Sequence, residues 1–408
     1  MSPDTDSRPA AIDIDTNRAR LNRYRFVLHE TMHRFAGWLP QIATFELKCE
    51  VGRAIWECAQ HVNALYLRLR EIQSPAFQPP PDEALVHLVA ELPHAPDEIA
   101  LALAWTQVIT PDLIRALERH ETATFPNSDQ PSVYAAQHIL WDLRQQSQRL
   151  HAVLTDARVA SIRTAATDEW IAYVQALLAA AGGIAGDGHR TTDTPAAPAA
   201  RRAFTAPREA CRDERFVNHG ADADLMPDEA DYGHHTVEEF ERYSTEMLAA
   251  ETVAVVMYAL PRMPWGFQHD SARHLYDEVR HCLMGFEWMR RRGFDPFLSP
   301  QYLHIFTWRM QFPPVMQYCL LTMGNEVHAF PYRHRRVEEH QKSGDRLSEQ
   351  FVRYDIADET QHVRFGKRWL PEMLKHIGEP RSTEDYVTAA LHIWENEYKT
   401  GKLSLNVE

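Results

Sequence analysis

The sequence predicts an all-α protein built from two tandem helical bundles. Apolar residues recur at helical spacing in windows such as "AIWECAQHVNALYLRLREI" and "HLYDEVRHCLMGFEWMRRR", whereas no stretch alternates in the manner of a strand. The 408 residues, 44% of them apolar, can form two or three domains with their own cores. An Ala-, Pro- and Gly-rich segment, "GGIAGDGHRTTDTPAAPAARRAFTAPREA", has little capacity to pack and divides the chain.

These features predict four segments along the chain. We expect a disordered N-terminus (1–20), a first bundle (21–182), a linker (183–235) and a second bundle (236–408). The polar start lacks the apolar core of a signal peptide, and the most apolar run, "MLAAETVAVVMYAL", contains a Glu and is too short to span a bilayer. The expected location is therefore the cytoplasm, without a membrane partner.

Charge and cysteine content narrow the classes of ligand. The formal net charge of −14 disfavours a nucleic-acid backbone as the main partner, although "RRAFTAPR" is locally basic. The five cysteines are scattered and form no CxxC pair, so neither a disulfide framework nor a zinc ribbon is indicated. Small molecules and metal ions are the expected ligands.

The two halves have related sequences. "HETMHRFAGWLP" in the first half matches "AETVAVVMYALP" in the second, and "RAIWECAQH" then matches "RHLYDEVRH". Further on, "ILWDLRQQ" matches "DIADETQH". Three matches in the same order with similar separations predict tandem duplication of a helical bundle.

A nine-residue pattern, Asp-Glu-x-x-His-x-x-x-Gly, occurs twice in the second half. It reads "DEVRHCLMG" at 277–285 and "DETQHVRFG" at 358–366. On a helix, Glu(i) and His(i+3) project from one face and can reach the same cation. Two such helices facing each other would present two Glu and two His side chains to a metal site.

Two further Glu residues lie in apolar helical surroundings. Glu251 has apolar or aromatic neighbours three, four and seven residues away, and Glu326 lies in the similar stretch "YCLLTMGNEVHAF". A Glu on the core face of a helix is costly unless it is paired or coordinates a metal. Their positions among the two ExxH motifs favour metal coordination.

This order of residues resembles the ferritin-like di-iron carboxylate superfamily, which includes rubrerythrin, the ribonucleotide reductase small subunit and bacterial di-iron oxygenases. Those proteins take one Glu from each of two helices and Glu-x-x-His from each of two others in a four-helix bundle. The resemblance covers about residues 237–372. It implies a ferritin-like fold for both halves and metal ligands, with the carboxylates also catalytic, at Glu251, Glu278, His281, Glu326, Glu359 and His362.

Residues flanking the motifs also receive roles. The resemblance implies that Asp277 and Asp358 orient metal-bound imidazoles, as such carboxylates commonly do in this family. Gly285 and Gly366 lie one turn after each His, where helix packing is the favoured explanation for a missing side chain. Pro331 predicts that its helix kinks or ends near the site, which leaves Glu338 or Glu339 as alternatives to Glu326.

The first half departs from this ligand pattern. Glu30 matches Glu251 and His61 matches His281, but Cys58, Leu143 and Gln146 stand where Glu278, Glu359 and His362 do. We therefore interpret the first half as a degenerate copy. A mononuclear site formed by Glu30, His33 and His61 is an alternative, and Glu57 is predicted to face the surface.

The resemblance implies dioxygen chemistry at two iron ions, or at a manganese and iron pair. We expect an oxygenase or oxidase that hydroxylates, N-oxygenates or desaturates a small organic substrate and receives electrons from an external donor. A homodimer is a compatible assembly. The alternatives are a ferroxidase or iron-binding protein without an organic substrate, a hydroxylase of a modified tRNA base, which the acidic charge disfavours, and a structural protein with vestigial ligands.

Overall fold

The computed structural model describes residues 12–74, 80–191, 195–219 and 231–403, and in these ranges all regular elements are helical. This confirms the predicted all-α class. The chain divides into two compact units, one containing residues up to Arg34 and Glu57–Thr205, the other containing Phe35–Trp56 and the chain from Ala206 onward. The boundary after Thr205 falls within the predicted linker, whereas the assignment of 35–56 to the second unit was not predicted.

Eight α-helices begin before the predicted linker in the described part of the chain. They are α1 (Ile14–Trp38), α2 (Phe45–Glu71), α3 (Glu83–Glu91), α4 (Glu98–Leu103), α5 (Thr110–Ala123), α6 (Pro126–Thr155), α7 (Ala157–Ala160) and α8 (Ala165–Ala180). Short 3-10 segments follow α1 and α3 (Leu39–Gln41 and Leu92–His94), and a π-helical segment (Ala104–Ile109) joins α4 to α5.

The first helix begins earlier than the boundary predicted from the sequence. The Asp13 carboxylate accepts hydrogen bonds from the backbone N–H groups of Asp15 (3.0 Å) and Thr16 (2.9 Å) and so caps the helix that starts at Ile14. Residues 14–20, predicted to be disordered, are therefore helical. Residues 1–11 of that predicted segment lie outside the described residues.

The second unit contains the remaining helices, and the first of them begins at Tyr232, so residues 232–235, predicted to belong to the linker, are helical. These helices are α9 (Tyr232–Ser244), α10 (Met247–Ala259), α11 (Trp265–Arg291), α12 (Leu303–Arg309), α13 (Pro314–Cys319), α14 (Val327–Ser343), α15 (Arg346–Ile377) and α16 (Thr383–Ile393). A 3-10 segment (Pro296–Leu298) precedes α12, and π-helical segments lie at Leu320–Glu326 and Trp394–Tyr398. Helix α11 packs against α9, α10 and α15, and α14 packs against α15.

Helix α10 is the most buried helix of this bundle. All its residues from Met247 to Met257 are buried, which matches the continuous apolar run in its sequence. Across the described part of the chain, no helix is long and apolar enough to cross a membrane.

The helix that carries Pro331 does not end at the proline. Helix α13, the π-helical segment Leu320–Glu326 and α14 follow without a break, and α14 continues through Pro331 to Ser343. A proline lacks the backbone donor of a regular helical turn, and local widening to a π turn is one way in which a helix accommodates such irregularity. The irregularity expected near the site therefore takes the form of a π-helical segment that ends at Glu326.

Both motif glycines are sites of close helix packing, as the sequence favoured. A Cβ atom on Gly285 would lie 2.5 Å from the Ser244 backbone nitrogen and 2.7 Å from the Phe240 carbonyl oxygen, both in α9. A Cβ atom on Gly366 would lie 2.5 Å from the Thr322 hydroxyl. These glycines let α9 and the π-helical segment approach α11 and α15.

Gly285→Ala is expected to destabilise the protein by about 1–3 kcal/mol, because the added methyl group meets backbone atoms that cannot move independently of α9. Gly233→Ala is the matched control. It adds a methyl group to an exposed helical position where the nearest atom, 3.1 Å away, belongs to the flexible Asp231 side chain. Urea unfolding measures both variants, and equal midpoints would contradict the packing described for Gly285.

Candidate metal centre

Two groups of buried carboxylate and imidazole side chains meet inside the second unit. In each group the ligand atoms lie within 4.8 Å of one another. The first group comprises His274, Glu278, Glu326 and His362. The second group comprises Glu246, His281, Asp355 and Glu359.

Long helices supply most of these side chains. Helix α11 carries His274, Glu278 and His281 on one face, four and three residues apart. Helix α15 carries Asp355, Glu359 and His362 at the same spacing. Glu326 ends the π-helical segment, and Glu246 precedes the first residue of α10.

The first group is centred on two stacked histidines. The rings of His274 and His362 have centroids 3.8 Å apart. His274 Nε2 lies 3.0 Å from Glu326 Oε1 and 3.3 Å from Glu278 Oε1, and His362 Nδ1 lies 3.4 Å from the same Glu278 oxygen. Both imidazoles thus face the same pair of carboxylates.

The second group is centred on His281. Its Nδ1 atom lies 3.1 Å from Glu246 Oε2 and 3.5 Å from Asp355 Oδ1. The same nitrogen lies 3.5 Å from Glu278 Oε2, the second oxygen of a carboxylate that belongs to the first group. Glu278 therefore directs one oxygen to each group, which is the arrangement of a carboxylate that bridges two metal ions.

The atoms that face each other lack hydrogen bonds. Every member of the two groups except Glu278 has a buried nitrogen or oxygen with no hydrogen-bond partner among the described residues. Two ligand atoms that are bound to one metal ion at right angles, each about 2.1 Å from the ion, lie about 3 Å apart. The shorter nitrogen–oxygen distances within the two groups, 3.0 and 3.1 Å, are close to this value. Unpartnered buried polar atoms are costly unless something satisfies them, and metal ions would do so here.

The charge of the site also fits two divalent cations. When all are deprotonated, as metal binding requires, the five carboxylates of the two groups carry five negative charges. One largely buried guanidinium compensates part of this charge: Arg333 forms ion pairs with Asp355, with Glu359 (2.9 Å) and with Glu246 (3.5 Å). The remaining four negative charges equal the charge of two divalent ions. Hard oxygen ligands combined with imidazole suit iron and manganese.

The outer nitrogens of two histidines are held by aspartates from the opposite helix. His281 Nε2 lies 3.4 Å from Asp358 of α15, and His362 Nε2 lies 3.4 Å from Asp277 of α11. Arg273 donates to both aspartates, at 2.7 Å to Asp277 and 3.3 Å to Asp358. The structure therefore places the two motif aspartates beside the imidazoles, with each aspartate reaching the His of the other motif.

Five of the six ligands predicted from the sequence come together, and Glu251 does not. The Glu251 carboxylate is fully buried, but it lies outside both groups and pairs with Lys48 and with Arg212 (2.7 and 2.9 Å). Apolar surroundings correctly indicated that Glu251 is buried; its actual partners are two cations. Glu246, five residues earlier, lies in the second group in place of Glu251.

Three residues of the groups were not predicted as ligands, and two had a readable signal. His274 precedes Glu278 by four residues and Asp355 precedes Glu359 by four, so the repeated pattern extends to (His/Asp)-x-x-Asp-Glu-x-x-His. Position i−4 shares a helix face with the motif Glu. Glu246 precedes a helix and has no such periodic signal. The proposed substitutes for Glu326 are not needed: Glu338 is exposed, and Glu339 pairs with Arg336.

The first unit holds no comparable group among its described residues. His33 is buried with neither ring nitrogen hydrogen-bonded, Glu30 pairs with Arg34 (2.8 Å), and His61 pairs with Asp142 (2.9 Å). These contacts do not bring the three predicted mononuclear ligands together.

The prediction that Glu57 faces the surface is wrong. Glu57 is 5% exposed and accepts hydrogen bonds from Gln146 (2.9 Å) and Arg149 (2.6 Å). Gln146, which stands where His362 does in the second half, also accepts a hydrogen bond from Trp105 (2.8 Å). A neutral hydrogen-bonded network with one ion pair thus fills the corresponding region of the first unit.

Protons compete with cations for the candidate ligands. Burial alone would lower the pKa of His281, but its contacts with Asp358, Glu246 and Glu278 raise that pKa well above the usual value. Burial likewise opposes protonation of His362, yet Asp277 and two glutamates raise its pKa well above the usual value. Burial raises the pKa of Glu246 to about 8. At neutral pH the metal-free site therefore holds protons on residues that a metal requires deprotonated.

Metal loading at neutral pH is expected to release about two to three protons per chain, and apparent metal affinity is expected to rise with pH. The sign follows from the raised pKa values: acidification adds protons to the ligands and so weakens metal binding. Calorimetric Mn(II) titrations in buffers of different ionisation enthalpy measure the proton count. His281→Ala/His362→Ala is the control, and a parent that releases no protons would contradict the prediction.

The fold and the site together define a class: an all-helical protein with two adjacent groups of buried carboxylates and histidines, in which Glu278 has one oxygen facing each group. Comparisons with known protein families, curated proteins and solved structures found no match.

Proposed function

We propose that the protein is a non-haem di-iron oxygenase or oxidase that uses dioxygen to oxidise a small organic molecule. The observation that carries the proposal is Glu278, whose two oxygens face two groups of buried ligands with unsatisfied donor and acceptor atoms. The repeated Glu-x-x-His motifs and their resemblance to the di-iron carboxylate superfamily support the same reading.

The ligand composition favours iron over most other ions. Five carboxylates and three imidazoles offer hard oxygen atoms together with borderline nitrogen atoms. A structural zinc site would instead use four ligands, often including thiolates, and the cysteines of the second unit are not members of either group. Two ferrous ions bound here would supply electrons to dioxygen, and manganese can occupy the same kind of ligand set.

The protein's own residues would position these ions and control protons around them. Asp277 and Asp358 fix the orientation of His362 and His281 through their outer nitrogens. Arg333 neutralises carboxylates of the second group, and Tyr243 donates a hydrogen bond of 2.9 Å to Asp355. Seven of the eight ligand side chains are buried, which limits access of bulk water.

Oxygen consumption tests this function. We expect the iron-loaded protein, given a chemical reductant, to consume dioxygen and to convert members of a panel of amines, amino acids and carboxylic acids to oxygenated or desaturated products detected by mass spectrometry. His281→Ala/His362→Ala should abolish both activities. Iron oxidation without turnover of any organic molecule would favour a ferroxidase, and no iron-dependent oxygen consumption would reject the proposal.

A further inference from the structure

One arginine beside the first ligand group has a buried charge and no acidic partner. Arg309 ends α12 and is 3% exposed. Its side chain donates one hydrogen bond, from Nη1 to the Thr252 hydroxyl at 3.2 Å, while the buried Nε atom has no partner. Within the described ranges, no carboxylate forms an ion pair with it.

Other buried arginines of this unit show how unusual this is. Arg336 pairs with Glu239 at 3.1 Å, Arg212 pairs with Glu251 at 2.7 Å, and Arg333 pairs with Glu359 at 2.9 Å. Burial of a guanidinium without a counter-charge is costly, because water no longer solvates the charge. Arg309 therefore has a buried charge that forms no ion pair with the described protein groups.

The apolar residues next to Arg309 in the chain are buried. Phe306 and Met310 belong to one buried cluster, and Trp308 belongs to another, which also contains Tyr318. Burial lowers the pKa of Arg309, while the charges of Tyr398, Glu278 and Glu326 act in the opposite direction.

A second polar group near the first group is also unsatisfied. The Tyr318 hydroxyl is fully buried and makes no hydrogen bond in the described structure. The Tyr318 ring centroid lies 6.1 Å from that of His274. Unpartnered hydrogen-bond donors thus occur at two positions around the first group.

We propose that Arg309 binds the carboxylate of the substrate, which is a small apolar carboxylic acid. The planar guanidinium presents parallel N–H donors that match the two oxygens of a carboxylate, and apolar neighbours suit an alkyl or aryl body. Such an acid would supply the missing counter-charge close to the metal ligands. The identification of the acid as substrate rests on the proposed function, whereas its binding does not.

Ligand binding tests the proposal with benzoate and hexanoate as probes. Calorimetry on the full chain, loaded with Mn(II), is expected to show that each acid binds more tightly than its neutral amide. Arg309→Met should weaken binding of the acids about 10- to 100-fold and leave the amides unchanged. Arg353→Met is the matched control, because Arg353 is exposed and pairs with Glu349 at 2.8 Å; it should change neither.

Thermal stability separates this role from a structural one. Since Arg309 is buried without a counter-charge, Arg309→Met should leave the melting temperature of the ligand-free protein unchanged or raise it. A structural arginine would lower the melting temperature when replaced. The proposal is overturned if the variant melts at a lower temperature, or if acids and amides bind the parent equally.

The same assay keeps this inference distinct from the proposed function. If the chain binds no metal but still binds the acids through Arg309, the carboxylate site stands and the di-iron proposal fails. If the chain binds metal and consumes dioxygen but does not prefer the acids, the di-iron proposal stands and the role of Arg309 is overturned.

Discussion

Replacement of Glu278 by alanine is expected to abolish the binding of both metal ions. Glu278 has an oxygen facing each group: Oε1 lies 3.3 Å from His274 Nε2, and Oε2 lies 3.5 Å from His281 Nδ1. Its loss would remove one candidate ligand from each position. It would also remove a negative charge that reduces the electrostatic repulsion between the two ions. Because even residues that only orient ligands contribute 10- to 100-fold to metal affinity, we expect a loss above about 100-fold at each position.

Anaerobic titration with Fe(II), followed by iron analysis after gel filtration, measures this effect. Glu287→Ala is the matched control, because Glu287 lies on the same helix, is exposed and pairs only with Arg291 at the surface. The control should retain the iron content of the parent. Retention of one tightly bound iron by Glu278→Ala would show that the two groups do not share this carboxylate.

Glu251→Gln is expected to reduce the free energy of unfolding by about 3–5 kcal/mol without changing the number of metal ions bound. The Glu251 carboxylate is fully buried and neutralises Lys48 and Arg212, whose side chains are 2% and 3% exposed. A neutral amide leaves both cations without a counter-charge in the interior, which is the costly case for a buried ion pair. The candidate metal ligands lie elsewhere, so metal binding should be unchanged.

Urea unfolding and Fe(II) titration on the same preparation separate these two outcomes. Glu349→Gln is the control for removal of a surface carboxylate, since Glu349 pairs with the exposed Arg353 and should change stability little. If Glu251→Gln binds one iron fewer than the parent and unfolds at the parent's urea concentration, Glu251 is a metal ligand, as the sequence predicted.

The sequence identified the helical class and most members of the two candidate ligand groups because both follow from local spacing. Glu and His residues three positions apart share a helix face wherever the helix lies. The spacing in "DEVRH" and "DETQH" is therefore sufficient to predict that each Glu and His pair faces the same side. Extending the same comparison by one turn toward the N-terminus would have added His274 and Asp355.

The remaining ligand could not be assigned in this way, because its assignment depends on tertiary partners. Apolar neighbours show that Glu251 is buried, but the local sequence does not contain Lys48, which lies about 200 positions away. Glu246 precedes a helix, where no periodicity marks its direction. The unpaired state of Arg309 is likewise a property of the whole fold, since it depends on how far every carboxylate of the described residues lies from the guanidinium.

The central claim is that one chain holds two metal ions bridged by Glu278. X-ray absorption spectroscopy on protein loaded anaerobically with Fe(II), combined with iron quantification, tests it most directly. We predict two iron ions per chain, nitrogen and oxygen ligands at about 2.0–2.2 Å, and an iron–iron separation of about 3.5–4 Å. One iron per chain, or two without an iron–iron vector, would contradict the claim.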